Sequence, residues 1–192
     1  VTRHPSPSGM QEITAYIARG DLSSAEAACR RFLQAHPGDS RAGFLLAYIC
    51  WRQGRRDDAI DQARSVLAGG SNDAGLLSDL GNLLRELGAL DDALLSLDRS
   101  LELRPGHSGA VLNRALVLDA LGREQDALGA AASIPVDDPL FAKTRYLSGR
   151  IRKELGDMSG AEADFTACTE ADPRNAAAWH ERVLTRRYEK GE

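Results

Sequence analysis

A glycine recurs every 34 residues along much of this 192-residue chain. The five glycines are Gly20, Gly54, Gly88, Gly122 and Gly156, and five positions after each stands an alanine: Ala25, Ala59, Ala93, Ala127 and Ala161. Prolines follow the same period at positions 37, 105, 139 and 173, and the series fails only at Ser71. Such a period is typical of stacked repeats, each of which needs its neighbours to bury its apolar face. The period predicts five repeats within residues 9–173, at about 6–39, 40–73, 74–107, 108–141 and 142–175.

Each repeat is predicted to form two amphipathic helices that are joined at the glycine. In the third repeat, leucines stand at helical spacing before Gly88, at positions 76, 80, 83 and 87, and Ala93, Leu94, Leu97 and Leu101 continue the pattern after it. Glycine permits a left-handed turn, alanine lets two helices approach closely, and proline ends the second helix. N-caps for the following helices are then offered by Asp39-Ser40, Asn72-Asp73, Ser108 and Asn175.

The pattern resembles the tetratricopeptide repeat (TPR) family, most clearly in the third repeat. The matching residues there are Leu77, Leu80-Gly81, Leu84, Gly88, Ala93, Leu97 and Pro105. The resemblance implies an all-α fold, a right-handed α-solenoid of antiparallel helix pairs that forms a superhelix. It also implies that the first helices line a concave groove, and it says little about biological role.

The two ends of the chain depart from the repeat. Residues 1–8 are expected to form a flexible lead-in, since they contain two prolines and two serines. Residues 176–192 are expected to form a capping helix or the start of a sixth repeat, with Trp179 at the signature tryptophan position. The basic residues Arg182, Arg186, Arg187 and Lys190 favour a polar outer face and therefore the cap.

Two further irregularities lie in the C-terminal half. Pro135 precedes the periodic Pro139 by about one turn, so the second helix of the fourth repeat is predicted to end near Ser133, with its stacking on the fifth repeat opened or tilted. In the fifth repeat, Arg145, Ser148 and Arg152 occupy positions where larger apolar residues are usual.

The composition argues against several functional classes. The chain has 24 Lys and Arg against 28 Asp and Glu, a net charge of −4, so no overall basic field favours nucleic acid or an anionic membrane. No stretch approaches 18 consecutive apolar residues, so no helix that spans a membrane is expected. The scattered Cys29, Cys50 and Cys168 are predicted to be buried free thiols, which favours a cytoplasmic location.

No common catalytic, phosphate-binding or metal-binding motif occurs in the sequence. The histidines are isolated from one another. Carboxylate pairs such as Asp91-Asp92 follow a turn glycine, where they complement the dipole of the second helix. We therefore expect no enzymatic activity, no cofactor and no metal.

The resemblance places the groove residues at the second, fifth, ninth, twelfth and thirteenth positions of a repeat. In the second repeat these are aromatic or basic, namely Arg41, Phe44, Tyr48, Trp51 and Arg52. The other candidates for partner binding are Asn82, Arg85, Asn113, Lys143, Tyr146, Arg150, Lys153 and His180. For the three aromatic residues, the alternative is packing against the second helix of the first repeat.

Charge is segregated in the fifth repeat. Its first helix carries five basic residues against Glu154, and its second carries four acidic residues and no basic one. This distribution predicts that the C-terminal half of the groove binds an acidic peptide, a C-terminal carboxylate or a phosphorylated segment. The alternative is a solvated basic helix that pairs with acidic neighbours.

A carboxylate clamp of the kind that some TPR domains use for chaperone tails is only partly present. Asn82, Asn113 and Lys143 match three of its five positions, whereas Ser78 and Leu147 replace a lysine and an arginine. The missing cations predict too few charge-assisted hydrogen bonds to anchor a tail strongly.

The leading hypothesis is a non-catalytic scaffold whose groove binds a peptide or a helix of a partner protein. One alternative is the N-terminal TPR region of a larger bacterial enzyme, such as a transferase or an oxygenase. Another is self-assembly into homo-oligomers through the ends of the repeat array.

Overall fold

The structure is a computed structural model that describes the backbone of residues 8–190 and the side chains of residues 9–187. The predicted lead-in lies outside these residues except for Ser8, which begins the first helix. Within the described range every regular element is a helix: α1 (Ser8–Arg19), α2 (Leu22–Ala35), α3 (Ser40–Arg52), α4 (Arg56–Ala68), α5 (Ala74–Glu86), α6 (Leu90–Leu103), α7 (Ser108–Ala120), α8 (Glu124–Ala132), α9 (Phe141–Glu154), α10 (Met158–Ala171) and α11 (Ala176–Lys190).

The helices belong to two compact units whose boundary falls between Arg99 and Ser100, inside α6. In the N-terminal unit, α1 packs on α2, α2 on α3 and α3 on α4, and α3 also contacts α5. In the C-terminal unit, α7 packs on α8, α8 on α9, α9 on α10 and α10 on α11, and α7 also contacts α9. Packing in chain order, with further contacts between the first helices of successive repeats at α3 and α5 and at α7 and α9, is the arrangement of an α-solenoid. The predicted fold class is confirmed.

The turn between the helices of each pair is left-handed, as predicted. Gly20, Gly54, Gly88, Gly122 and Gly156 all have φ between 69° and 82°. Around Gly88, the N–H of Ala89 donates to the carbonyl of Leu84 at 2.9 Å, and the N–H of Gly88 donates to that of Arg85 at 2.9 Å. These two bonds form a Schellman motif, and the other four glycines carry the same pair. The turn satisfies carbonyls that the end of the first helix would otherwise leave unpaired.

The predicted N-caps are confirmed at three helices and wrong at one. Asp39, Asp73 and Asn175 accept hydrogen bonds from backbone N–H groups of the next helix and act as the predicted N-caps. Ser108 does not: the capping residue of α7 is His107, and the Ser108 hydroxyl instead donates to Asp138. Asp138 lies in the segment between α8 and α9, so Ser108 links this segment to the start of α7.

Where the two helices of a pair touch in the second to fifth repeats, either a glycine on one helix faces a large residue on the other, or two alanines face each other. All five periodic alanines are fully buried. A Cβ on Gly81 of α5 would lie 2.5 Å from Leu97 Cγ of α6, and one on Gly149 of α9 would lie 2.7 Å from Phe165 Cε1 of α10. At the equivalent positions of the second and fourth repeats, both partners are buried alanines, in the pairs Ala47/Ala63 and Ala115/Ala131. A glycine on one helix thus accommodates a large residue on the other, and two alanines fill the same place.

The fourth repeat has the short second helix that Pro135 predicts. α8 ends at Ala132 after nine residues, and Ile134 is buried immediately beyond it. A continued helix would need the N–H of residue 135 to reach the Ala131 carbonyl, and proline has none. This carbonyl accepts from the N–H of Ile134 at 3.4 Å and from Arg145 Nη2 of α9 at 3.0 Å. α8 therefore remains packed on α9 and is joined to it by a side chain.

The last helix, α11, packs on α10 through Ala178 and Thr185, both of which are buried. Its exposed side carries Trp179, Val183 and Leu184 beside Arg186 and Arg187. The expectation of a polar outer face was therefore wrong in part, because the face is both apolar and basic.

All three cysteines are buried free thiols, as predicted. The Cys29 thiol donates to the Ala42 carbonyl at 3.1 Å, and burial raises its pKa to about 11. Burial also raises the pKa of the Cys50 and Cys168 thiols. Because the thiolate is the nucleophile, these groups are expected to react slowly in the folded protein.

The packing at Gly81 predicts that Gly81→Ala destabilises the protein by about 1–3 kcal/mol, since the added methyl group overlaps Leu97. Gly129→Ala is the matched control, because Gly129 also lies in a helix and its Cβ would meet no atom within 4 Å. That variant is expected to gain up to about 1 kcal/mol from helix propensity. Urea denaturation measures both, and equal stabilisation by the two substitutions would contradict the packing argument.

A double variant, Gly81→Ala with Leu97→Ala, recreates the alanine pair of the second and fourth repeats. Leu97→Ala alone is expected to cost about 2–5 kcal/mol through the cavity that it leaves. Because the Gly81→Ala methyl group partly fills this cavity, the double variant should lose less stability than the sum of the single variants. Additive losses would show that the two positions are not coupled.

Burial of the thiols predicts slow alkylation of Cys29 by iodoacetamide at pH 8 in the folded protein, where about one thiol in a thousand is ionised, and rapid alkylation in urea. Mass spectrometry of timed samples gives both rates. Similar rates in the two conditions would mean that Cys29 is accessible in the native state.

Candidate functional site

Three adjacent clefts in the N-terminal unit share one side chain, that of Phe44. The first cleft, of about 320 Å³, lies between α1 and α3 and is lined by Thr14, Ile17, Ala18, Phe44, Leu45 and Tyr48. The second, of about 270 Å³, adds Arg41 and the start of α5, and the third, of about 170 Å³, lies between Tyr48, Trp51 and Asn82. We call these three clefts the aromatic clefts. Their α3 wall includes Phe44, which lines all three, Tyr48, which lines the first and the third, and Trp51, which lines the third.

The sequence of α3 places this wall on one side of the helix. Arg41, Phe44, Tyr48, Trp51 and Arg52 are spaced by three, four, three and one residues, so they form one stripe. The opposite side is buried and consists of small or aliphatic residues and Cys50: Ala42, Gly43, Leu46, Ala47, Ile49 and Cys50. This division fixes the orientation of α3 and leaves the stripe outside the core.

Each of the three aromatic rings is partly exposed. The rings of Tyr48 and Trp51 are tilted against each other, with their centroids 5.7 Å apart. Residues of α1 and α5 form the other walls of the aromatic clefts, and none of these walls is contributed by α2. The aromatic side chains therefore line open clefts, and the alternative of packing against α2 stays a prediction.

The α1 wall was missed by the sequence analysis. Thr14, Ile17 and Ala18 occupy the ninth, twelfth and thirteenth positions of the first repeat, the same positions that were counted in the second. Extending the count to the first repeat would have found them. Leu45 and Asp79 also line the aromatic clefts, at positions that this count does not include.

Arginines stand at both ends of the α3 stripe. Arg52 Nη1 donates to the Tyr48 hydroxyl at 2.7 Å, and its guanidinium lies 5.7 Å from the centroid of the Tyr48 ring. Arg41 is exposed and lines the second cleft. On α5, Arg85 Nη2 donates to Asn82 Oδ1 at 3.1 Å and also pairs with Glu86. The predicted residues Asn82 and Arg85 thus contact each other beside the third cleft.

Most predicted basic residues of α9 have carboxylate partners within the C-terminal unit. Arg150 pairs with Asp119 and with Glu154, and Lys153 Nζ lies 2.6 Å from Glu181 Oε2. Lys143 is exposed and forms no ion pair with the described residues. These pairs are those expected from the alternative interpretation, in which the basic helix pairs with acidic neighbours.

The remaining predicted residues of the C-terminal unit differ in their contacts and exposure. The Tyr146 ring packs against Phe165 of α10, with the ring centroids 5.9 Å apart. Asn113 is partly buried on α7, and His180 is exposed on α11. Ser78 and Leu147, which replace the clamp cations, are both buried in their own units. The partial clamp of Asn82, Asn113 and Lys143 stays a prediction.

A buried charge cluster accounts for the unusual polar residues of the fifth repeat. Asp164 of α10 is only 4% exposed and receives Arg145 Nη1 at 3.2 Å on one oxygen and Arg152 on the other. Burial raises the pKa of Asp164, and the two guanidiniums partly offset this effect. Since Arg145 also bonds the Ala131 carbonyl, the cluster connects α8, α9 and α10. These contacts lie within the chain and predict a structural role for the cluster, in which Arg145 Nε is buried without a hydrogen-bond partner.

Among the described residues, no group of three or more His, Cys, Asp or Glu side chains is arranged to hold a metal ion. No helix in the same range has the length and apolar character that crossing a membrane requires.

Comparison with known proteins identifies the repeats. Sequence profiles of the tetratricopeptide repeat match residues 10–74, 78–139 and 142–175, which together make up most of the chain. The chain belongs to the tetratricopeptide repeat family. No curated protein matches it.

Solved TPR structures share the fold at low sequence identity. MamA aligns with a TM-score of 0.74 at 20% identity, covering 91% of this chain and 99% of that chain. YrrB, described as a TPR protein with an unusual peptide-binding site, aligns at 0.75 and 19% identity, covering 95% and 94%. A tetratricopeptide repeat protein from Parabacteroides merdae aligns at 0.76 and 22% identity, covering 95% and 72%. At these identities the similarity establishes the fold alone.

The buried cluster predicts that Asp164→Ala destabilises this TPR protein by about 3–5 kcal/mol, because two partly buried guanidiniums lose their shared carboxylate. Asp126→Ala is the control, since it removes the same charge from an exposed pair with Arg123 and should cost less than about 1 kcal/mol. Thermal unfolding followed by circular dichroism compares the two. A loss at Asp164 no larger than that at Asp126 would contradict the structural role.

Proposed function

We propose that this TPR protein is a non-catalytic interaction module that binds a peptide or helical segment of a partner protein in the aromatic clefts. The observation that carries the proposal is the exposure of Phe44, Tyr48 and Trp51 along clefts between three first helices. Aromatic side chains in partly enclosed pockets are typical anchors of protein interfaces. The opposite side of α3 contributes the residues of the core, so the packing of the core does not account for the aromatic stripe.

The size of the clefts supports a peptide rather than a small molecule. Their volumes of about 170, 270 and 320 Å³ lie at or below the lower end of the range of about 300–1,000 Å³ for small-molecule pockets. Because the clefts are adjacent and share Phe44, neighbouring side chains of one segment can enter different clefts. TPR proteins generally bind protein or peptide partners, and the peptide-binding site of YrrB is consistent with this use of the fold.

The proposal predicts that Phe44→Ala with Tyr48→Ala weakens peptide binding by about 30-fold, the loss of about 2 kcal/mol that is typical of an aromatic anchor. Peptides selected from a displayed library of random 12-residue sequences on the full 192-residue chain serve as probes. Native affinities are expected around the micromolar range. Fluorescence anisotropy measures each affinity, and circular dichroism confirms that the variants fold.

Leu95→Ala provides the control, because Leu95 is 61% exposed on α6 and lines a different cleft, between α4 and α6. Binding should be unchanged in this variant. A library that yields no binder, or binders that lose affinity with Leu95→Ala and keep it with the double variant, would refute binding at the aromatic clefts.

A further inference from the structure

We propose that the aromatic clefts select a segment that carries an apolar anchor between two carboxylates, and that Arg41 and Arg52 each bind one carboxylate. This inference rests on the proposed function and specifies the chemistry of the partner. It also places the anionic partner at the second repeat, whereas the charge pattern of the sequence pointed to the fifth.

The two arginines bracket the aromatic stripe on the same side of α3. Eleven residues separate Arg41 from Arg52, which is about three helical turns and about 16 Å along the axis. Phe44 and Tyr48 lie between them at steps of three and seven residues from Arg41. A partner segment that runs along α3 and places an apolar side chain against these rings therefore passes both guanidiniums.

Neither arginine is neutralised by a carboxylate of the described chain. Arg41 forms no hydrogen bond or ion pair with described residues and is exposed. Arg52 uses one N–H for the Tyr48 hydroxyl. A guanidinium has five N–H donors, so both side chains retain donors for a bidentate carboxylate contact. The Tyr48 contact also restrains Arg52, which lowers the entropy that binding costs.

The carboxylates around the same clefts already have partners. Asp73 accepts from the N–H groups of Gly75 and Leu76 at 2.9 and 3.1 Å, and Glu86 pairs with Arg85. Asp79 on the α5 wall is also engaged in an interaction. The backbone N–H groups bind the Asp73 carboxylate without neutralising its charge, so the complementarity to an acidic segment comes from the α3 stripe itself, which carries Arg41 and Arg52 and no acidic residue.

In the C-terminal unit, four of the five basic residues of α9 have a carboxylate partner within the chain, and Lys143 does not. Arg145 and Arg152 share the buried Asp164, Arg150 pairs with Asp119, and Lys153 pairs with Glu181. An anion that bound these four residues would have to displace a carboxylate of the chain. No such exchange is needed at Arg41 and Arg52.

The spacing of the arginines limits the partner sequence. An extended segment rises about 3.3 Å per residue, so about five residues separate two carboxylates that are about 16 Å apart. In a helical segment the corresponding separation is about eleven residues. Both separations leave room for the apolar anchor that the proposal places between the two acidic residues.

The test uses peptides that are selected on the full chain from the random 12-residue library. Selected peptides are expected to be enriched in Asp or Glu at two positions about five or eleven residues apart, with an aromatic or aliphatic residue between them. Arg41→Glu with Arg52→Glu should weaken their binding by more than about tenfold and should strengthen binding of the same peptides with lysine in place of both acidic residues.

Arg99→Glu with Arg104→Glu is the matched control. It changes the net charge by the same amount at two exposed arginines, in α6 and just after it, so affinities should stay within about twofold. Equal losses in the two double variants would mean that only overall charge matters, and this would overturn the inference.

The remaining outcomes separate the inference from the proposed function. Peptides that depend on Phe44 and Tyr48 but carry no paired acidic residues, or that tolerate both charge reversals, would overturn the inference and leave the proposed function standing. Acidic peptides that depend on Lys143 and Asn113 but not on Arg41 and Arg52 would overturn it in favour of the partial clamp. A library without any binder that depends on Phe44 and Tyr48 would overturn both.

Discussion

The close contact between the two helices of a repeat is the constraint on which the rest of the structure depends. A left-handed glycine turn brings the helices together, and buried pairs such as Gly81 with Leu97 or Ala47 with Ala63 set their separation. This contact buries one side of each first helix. On α3 it leaves Phe44, Tyr48 and Trp51 on the other side, so the aromatic clefts follow from how the pair packs.

Features that repeat with the period could be predicted from the sequence, whereas contacts between particular side chains could not. The glycine turns, the buried alanines and the early end of α8 depend on local backbone chemistry that one residue determines. The size pairing at Gly81 and Leu97 involves residues that differ between repeats, and it becomes visible only when their positions are known to face each other. The groove count found the aromatic residues of α3, but not which of the basic residues were already paired.

The basic residues of the fifth repeat show most clearly that side-chain pairing could not be predicted from the sequence. In the sequence, the basic first helix of the fifth repeat stands out as an anion site, and Arg41 and Arg52 do not. The structure shows that Asp164, Asp119 and Glu181 pair with four of the five basic residues of that helix and leave Lys143 without an ion pair among the described residues. A run of basic residues therefore indicates a binding surface only after the carboxylates that the fold brings beside it have been taken into account.

The hydrogen bond from Arg145 to the Ala131 carbonyl has a consequence for local unfolding. The Ala131 carbonyl in the last turn of α8 accepts from the N–H of Ile134 at 3.4 Å and from the Arg145 side chain at 3.0 Å, and only a docked α9 supplies the second donor. Separation of the two helices would therefore leave a backbone acceptor without this donor and would disturb the buried Asp164 at the same time. Helices α8, α9 and α10 should thus open as one cooperative segment, although a proline interrupts the chain between the first two.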